Sequence, residues 1–421
     1  MNVGNRIRRT RKLKGMTAGD VCAGIVSPSH FSNIENSRFT PATDTLMLIA
    51  DRLSVPRSYF LNVHEDDRGV ERLLDELDRK IEEGDAEEIK LFLEANEEAL
   101  AYIPSIRQEI HATLLHFLAL VKTGATDAAV KLYQEAIAHF DISPSSINLA
   151  DQQKYYHISG LYFYLMRDYE KSIHFFKKVL DVKESETVRA KISFNIALAL
   201  SNLRKYEEAL KFAETATELY LRLHDWERTG NSYNLVAYVL IGLNRFDESE
   251  VYIQKGFDVT SSESKILHAR LFHNWALIHD GRKETKEAIA CINRAIELKT
   301  TSGQTDLFLS YRVKLDILLK AGDFLSFNKL LKAAESFSRT ADDQAHLYFL
   351  SARFHYLFED YGQYENSMKA AIELFLEENA DESLIAASEH FSQFYEKNSK
   401  YKKALYYQKI CTDTLKKIKE R

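Results

Sequence analysis

The stretch Arg204–Thr217, RKYEEALKFAETAT, decides how this chain is read. It holds a polar turn, an aromatic ring, a small residue three positions later and apolar residues at helical spacing. Related stretches recur as RDYEKSIHFFKKVL from Arg167, NRFDESEVYIQKGF from Asn244 and KETKEAIACINRAI from Lys283. With the small or apolar position as a ruler, the series is Ala129, Ser172, Ala209, Ser249, Ala288, Phe327, Ser367 and Ala404. Its intervals are 43, 37, 40, 39, 39, 40 and 37 residues. A weaker unit at Glu88, within GDAEEIKLFLEANEEAL, makes a ninth. A period of about 40 residues with regular turn signals describes stacked helix pairs, and it argues against a coiled coil, whose period is about seven.

Composition agrees. Apolar residues make up 45% and charged residues 28% of 421, a globular balance with no signature of disorder. None of the five prolines lies in the last 277 residues, and there are only 15 glycines, which favours helix over sheet. No apolar run is long enough to span a bilayer, and the basic start leads into no long apolar segment, so no secretion signal is expected. Cys22, Cys291 and Cys411 are isolated, which fits a reducing cytoplasm and small buried side chains.

The net charge of −6 hides a division. Residues 1–63 carry nine Lys/Arg against four Asp/Glu, and the remainder carries 47 against 58. A basic head on an acidic body suggests a polyanionic partner for the head alone. Five short helices are expected there. Val3, Ile7 and Leu13 mark the first, stopped at Gly15. Thr17 and Asp20 cap the second, and Ser27-Pro28 opens the third, with Phe31 and Ile34 buried. Thr43 to Leu53 and Pro56 to Leu61 supply the fourth and fifth. Ser29, His30, Ser32 and Asn33 are left outside on helix three. Short polar side chains on the second helix of a helix-turn-helix are what reach base edges in the major groove.

In RIRRTRKLKGMT, SPSHFSNIENSRFTP and TLMLIADRLSVPRSYFL the head resembles the Xre/Cro-type repressors. The resemblance implies a double-stranded DNA partner. It gives Ser29, His30, Ser32 and Asn33 the base-reading places and Arg38 and Lys12 the backbone places. It also implies a structural pair between Glu35 and Arg11. Ala18 departs from the pattern where the family has a phosphate-contacting Gln, and Ser37 stands where Gly is common. Residues 64–69 are read as a linker, within an acidic stretch, NVHEDDRG, suited to a hinge.

Residues 70–421 resemble the tetratricopeptide repeat family, and the expected fold is all-α. A five-helix Cro-like head would precede a right-handed superhelix of about eight to nine helix pairs, its concave groove lined by the first helix of each pair. Asn195, Asn234 and Asn274 recur at spacings of 39 and 40, which predicts three amides aligned along that groove. An amide both donates and accepts, so such a ladder can hold a peptide backbone of any sequence. The alternative is that these amides bridge helices within the scaffold. Arg189, Arg228, Arg270 and Arg312 could bind carboxylates, a peptide C-terminus included. Tyr238 and Trp275 lie close by, in groove or core.

A Cro-like head on a tetratricopeptide body resembles the peptide-pheromone-responsive regulators, the Rap, NprR, PlcR and PrgX group, most of all NprR-type receptors. The resemblance implies a cytoplasmic quorum-sensing transcriptional regulator whose groove takes a short signalling peptide. It further implies homodimers or higher homo-oligomers on a palindromic operator. The alternative it carries is a Rap-like protein that binds or dephosphorylates a response regulator, with Gln108, Gln152 and Gln153 available but not selected by any motif. No cofactor, metal or membrane partner is expected. No GxGxxG, Walker loop, HExxH or CxxC occurs, and His268, His273 and His279 do not share one helical face.

Overall fold

The computed structural model describes residues 2–140, 147–181, 185–261, 263–303 and 307–420. Among the described residues every regular element is helical. The chain divides into two compact units, 1–183 and 184–421.

The first unit begins with the five helices expected, α1 (Val3–Leu13), α2 (Ala18–Cys22), α3 (Pro28–Glu35), α4 (Thr43–Arg52) and α5 (Ser58–Leu61). Their ends are set by the side chains that the sequence placed there. Thr17 and Asp20 form a reciprocal capping box, and the Ser27 hydroxyl accepts from the His30 N–H, 3.3 Å away, with Pro28 in the first turn. Ile7, Val21, Phe31, Ile34, Ile49 and Phe60 close a small core. Gly4 is required where α1 meets the end of α3, because a Cβ there would lie 2.1 Å from the Ile34 carbonyl oxygen. Ser37 takes the left-handed φ of 58° that glycine would favour, and its hydroxyl bonds Asn2 Oδ1 at 2.6 Å.

The stretch read as a linker is tied down. The Ile106 N–H donates to Val63 O at 3.0 Å, and Arg107 pairs with Asp66 at 2.9 Å. The Gln108 amide clamps both backbone groups of Asp67 while donating to Glu71. Beyond it come α6 (Arg68–Glu83), α7 (Ala86–Ala95), α8 (Glu97–Ala101), α9 (Ile106–Lys122), α10 (Thr126–Glu135), α11 (Leu149–Leu165) and α12 (Tyr169–Leu180). Helices α6 and α7 are the weak ninth unit; α9/α10 and α11/α12 are clear pairs sharing one core.

The second unit holds six pairs. They are α13 (Glu186–Asn202) with α14 (Tyr206–Arg222), α15 (Trp226–Gly242) with α16 (Phe246–Val259), and α17 (Lys265–Gly281) with α18 (Thr285–Thr301). Next come α19 (Phe308–Ala321) with α20 (Phe324–Glu335), α21 (Ala341–Leu357) with α22 (Tyr361–Glu377), and α23 (Asp381–Lys397) with α24 (Tyr401–Glu420).

In seven of the nine pairs the ruler residue is the fourth of the second helix, opposite the residue twelve earlier in the first. Ser172 and Ser249 donate to the carbonyls of Gly160 and Ala237 across this gap, both at 2.8 Å, and Ala209 and Ala288 are fully buried. Two ruler positions differ: in α7 the fourth residue is buried Ile89, with Glu88 exposed beside it. In α22 the fourth residue is Tyr364, fully buried near Ala352, whereas Ser367 is only half-buried. A bulky ring in the usual small-residue slot hid the register.

Gly160 shows how close the approach is, since a Cβ there would sit 2.4 Å from the ring of fully buried Phe176. Gly160→Ala should gain about 1 kcal/mol of helix propensity. It should lose about 1–3 kcal/mol or more to overpacking. The expected net result is destabilisation, measured as a lower urea midpoint at unchanged slope.

Candidate functional site

Helix α3 carries the predicted reading residues. Ser29, Ser32 and Asn33 are exposed and His30 half-buried, its ring edge-on to Phe39 at 4.4 Å. Asn36 donates to the Ser32 carbonyl at 2.8 Å and to its hydroxyl at 3.4 Å. The helix is braced from behind. Arg11 Nε and Nη2 hold Glu35 at 2.7 and 3.2 Å, and Nη1 reaches Met16 O at 2.9 Å. This is the structural pair that the repressor resemblance implied.

Much of the head's positive charge is used internally. Arg52 donates to the carbonyls of Asp20 and Ala23, and Arg57 holds Asp51 with two bonds. Arg6 is fully buried: its Nε lies 2.8 Å and Nη2 2.7 Å from Glu109 Oε2 on α9, and Nη1 donates to the Tyr59 and Pro104 carbonyls. The Tyr59 hydroxyl donates to the other Glu109 oxygen at 2.5 Å, and burial holds this phenol well above its usual range. Arg8, Lys12 and Arg38 remain exposed. Exposed Lys12, with Asn5, Arg8 and Arg9, also lines a cavity of about 730 Å³ whose other lining residues include Leu132, His139 and Phe140.

In the second unit successive first helices touch, α13 with α15, α15 with α17, α17 with α19 and α19 with α21, forming one layer. The three asparagines do not share a register within it. Asn195 and Asn274 lie seven residues before the ends of their helices, and Asn234 lies eight before the end of its own. The Asn274 amide, 5% exposed, donates to Asn234 O at 3.2 Å and Asn234 Oδ1 at 2.9 Å, so it bridges α15 and α17. Asn195 and Asn234 are half-buried. The arginines are also dispersed. Arg189 is exposed at the start of α13, Arg228 pairs with Asp225 at 3.1 Å, and Arg270 donates to Asn231 at 3.1 Å.

The register that does repeat is Asn234, His273 and Arg312, spaced by 39 and 39 on α15, α17 and α19. His273 takes its place in this row rather than in a histidine cluster, and residue type alone does not reveal it. Counting back from the ruler rather than matching residue type would have found it. Burial, with Lys299 and Arg312 adding, pushes the His273 imidazole down to about 3, so it is neutral near pH 7 and both donates and accepts. Burial also lowers the Arg312 guanidinium, with Asp342, Asp343, Tyr238 and Asp316 opposing. An amide, a neutral imidazole and a guanidinium in line offer mixed donors and acceptors to an extended chain.

Tyr238, one turn beyond Asn234, is partly exposed. Burial raises its phenol, with Tyr206 and Glu382 adding and Arg204 and Arg312 opposing. Residues of four helix pairs therefore face one region inside this unit. Trp275 belongs to the scaffold, its Nε1 donating to Glu250 at 3.2 Å beside Phe272. Gln108, used up by its clamp on Asp67, is likewise structural. Among the described residues no His/Cys/Asp/Glu group could hold a metal, and no helix is long and apolar enough to cross a membrane.

Comparison with known proteins agrees with the repeat. Residues 190–221 match the tetratricopeptide repeat family. The chain is 23% identical over 425 aligned positions to the transcriptional activator NprA of Geobacillus stearothermophilus, covering 94% of this chain and 98% of that one. Among solved structures, a Rap protein complexed with Competence and Sporulation Factor superposes with a TM-score of 0.69 at 13% identity, covering 84% of this chain and 99% of that one. NprR in complex with its cognate peptide NprX gives 0.62 at 15%, covering 82% and 99%. At these identities the structural likeness is one of fold.

Proposed function

We propose that this chain, a relative of NprA with the tetratricopeptide fold of the Rap and NprR proteins, is a cytoplasmic transcriptional regulator gated by a short peptide. It is a regulator and not an enzyme. Its head binds double-stranded DNA through the outer face of α3, and the inner layer of its second unit holds the peptide. The observation that carries this reading is the row Asn234, His273 and Arg312. It is a line of hydrogen-bonding side chains at the repeat period, in a chain that also presents an exposed polar helix on a basic bundle.

The physical logic is a coupling free energy between groove and head. Each helix pair rotates slightly against the next, so a ligand spanning several pairs changes many small angles together. Two heads in a homodimer would read two half-sites, which makes a palindromic operator the expected target.

Purified full-length chain incubated with sheared genomic DNA should enrich a palindromic site. A synthetic peptide from a small exported reading frame beside the gene should shift that binding. Asn234→Ala should abolish the peptide response and leave basal DNA affinity unchanged. Failure to enrich any duplex, with or without peptide, would end the transcriptional reading.

A further inference from the structure

Among the described residues, the ion pairs of the second unit lie within a helix pair, as Arg222–Glu186 does, or join neighbouring pairs, as Arg282–Glu250 and Arg353–Asp316 do. One reaches further. Arg204, in the turn between α13 and α14, holds Glu382 near the start of α23, 178 residues on, with four helix pairs between. Arg204 Nη2 donates to Glu382 Oε2 at 3.0 Å, and Nε faces Oε1 in the parallel two-bond arrangement. This is the geometry in which a guanidinium takes any free carboxylate. The pair thus links the first helix pair of the unit to its sixth.

Both partners remain open to solvent, their side chains 64% and 46% exposed. An exposed pair holds weakly and exchanges readily. Glu382 has no second ion-pair partner among the described residues, whereas its neighbour Asp381 is anchored to Lys417 at 3.2 Å. Two rings flank the site. Tyr206 is seated against Gly242, where a Cβ would come within 2.5 Å of Tyr206 Cζ, and Tyr238 lies one turn earlier on the same helix. Tyrosines beside a guanidinium give an amphipathic wall suited to a peptide end.

We propose that Arg204 is a carboxylate-binding subsite of the inner groove, occupied internally by Glu382, and that the C-terminal carboxylate of an incoming peptide takes Glu382's place. This deepens the peptide-gated reading and rests on it. The exchange conserves charge, one carboxylate leaving the guanidinium as another arrives. It also releases the contact between the first and sixth pairs, which links occupancy of the subsite to the curl of the unit.

The test uses the immobilised full chain and two pools of randomised, N-acetylated heptapeptides lacking Asp and Glu. One pool ends in a free carboxylate and the other in an amide. The wild type should retain the carboxylate pool preferentially. Glu382→Gln should raise that preference about 1.5- to 5-fold, the size expected when an exposed internal competitor is removed, and Arg204→Gln should erase it. Equal retention of both pools by all three proteins would overturn the subsite and leave the peptide groove standing. An equal gain for both pools in Glu382→Gln would also overturn it, since Glu382 would then only narrow the opening. Retention of neither pool would overturn the subsite and the peptide reading together.

Discussion

Glu109→Ala is expected to cost about 3–5 kcal/mol of unfolding free energy, out of a total that is commonly about 5–15. The reason is the state in which it leaves Arg6. That guanidinium is fully buried, its Tyr59 and Pro104 carbonyl partners cannot neutralise it, and its carboxylate would be gone. A buried charge stripped of its partner is penalised far more heavily than the intact pair is rewarded. Urea unfolding followed by circular dichroism should show the loss. Limited proteolysis should show new cleavage between residues 62 and 67, where the head's connection is otherwise held by Ser105, Arg107 and Gln108. The paired replacement Arg6→Met with Glu109→Leu removes both charges and should recover most of the stability. A double variant as unstable as Glu109→Ala would show that packing, not the unpaired charge, sets the cost. Deleting residues 1–63 removes Arg6, Arg9 and Tyr59, the partners of Glu109, and uncovers that side of α9, so such a truncation is a poor test of the body alone.

Asn33→Ala should lower affinity for the operator by about 1–3 kcal/mol, roughly 5- to 150-fold, while leaving affinity for unrelated duplex unchanged. Asn33 is exposed on α3, and its amide can pair with a base edge through both groups at once. Arg38→Ala should behave differently. An exposed cation at the helix exit contributes to every duplex alike, so both affinities should fall and the slope of log affinity against log salt should decrease by about one. Fluorescence anisotropy with operator and scrambled duplexes across a salt series separates the two. Equal losses on both duplexes for Asn33→Ala would remove it from base recognition.

The ion pairs within the first unit refine the charge argument. A head of nine basic residues suggests nine phosphate contacts from composition, yet Arg6, Arg9, Arg11, Arg52 and Arg57 are engaged within the protein, which leaves four. The salt slope should accordingly reflect a minority of the nine.

The sequence by itself determined everything that depends on neighbours a few residues apart. The capping box at Thr17 and Asp20, the Ser27-Pro28 start of α3 and the helix pairs near a period of 39 follow from local hydrogen bonding and the 3.6-residue turn. Even the brace between Arg11 and Glu35, 24 residues apart, was legible because it travels with a motif. Tertiary structure decided the rest. It buried Arg6 against Glu109, 103 residues away, and turned a supposed hinge into an anchored joint. It replaced a ladder of like residues with the mixed row Asn234, His273 and Arg312, because packing register, not residue type, chooses which side chains align. It brought Arg204 to Glu382 because small rotations between successive pairs add up, and no local pattern records their sum.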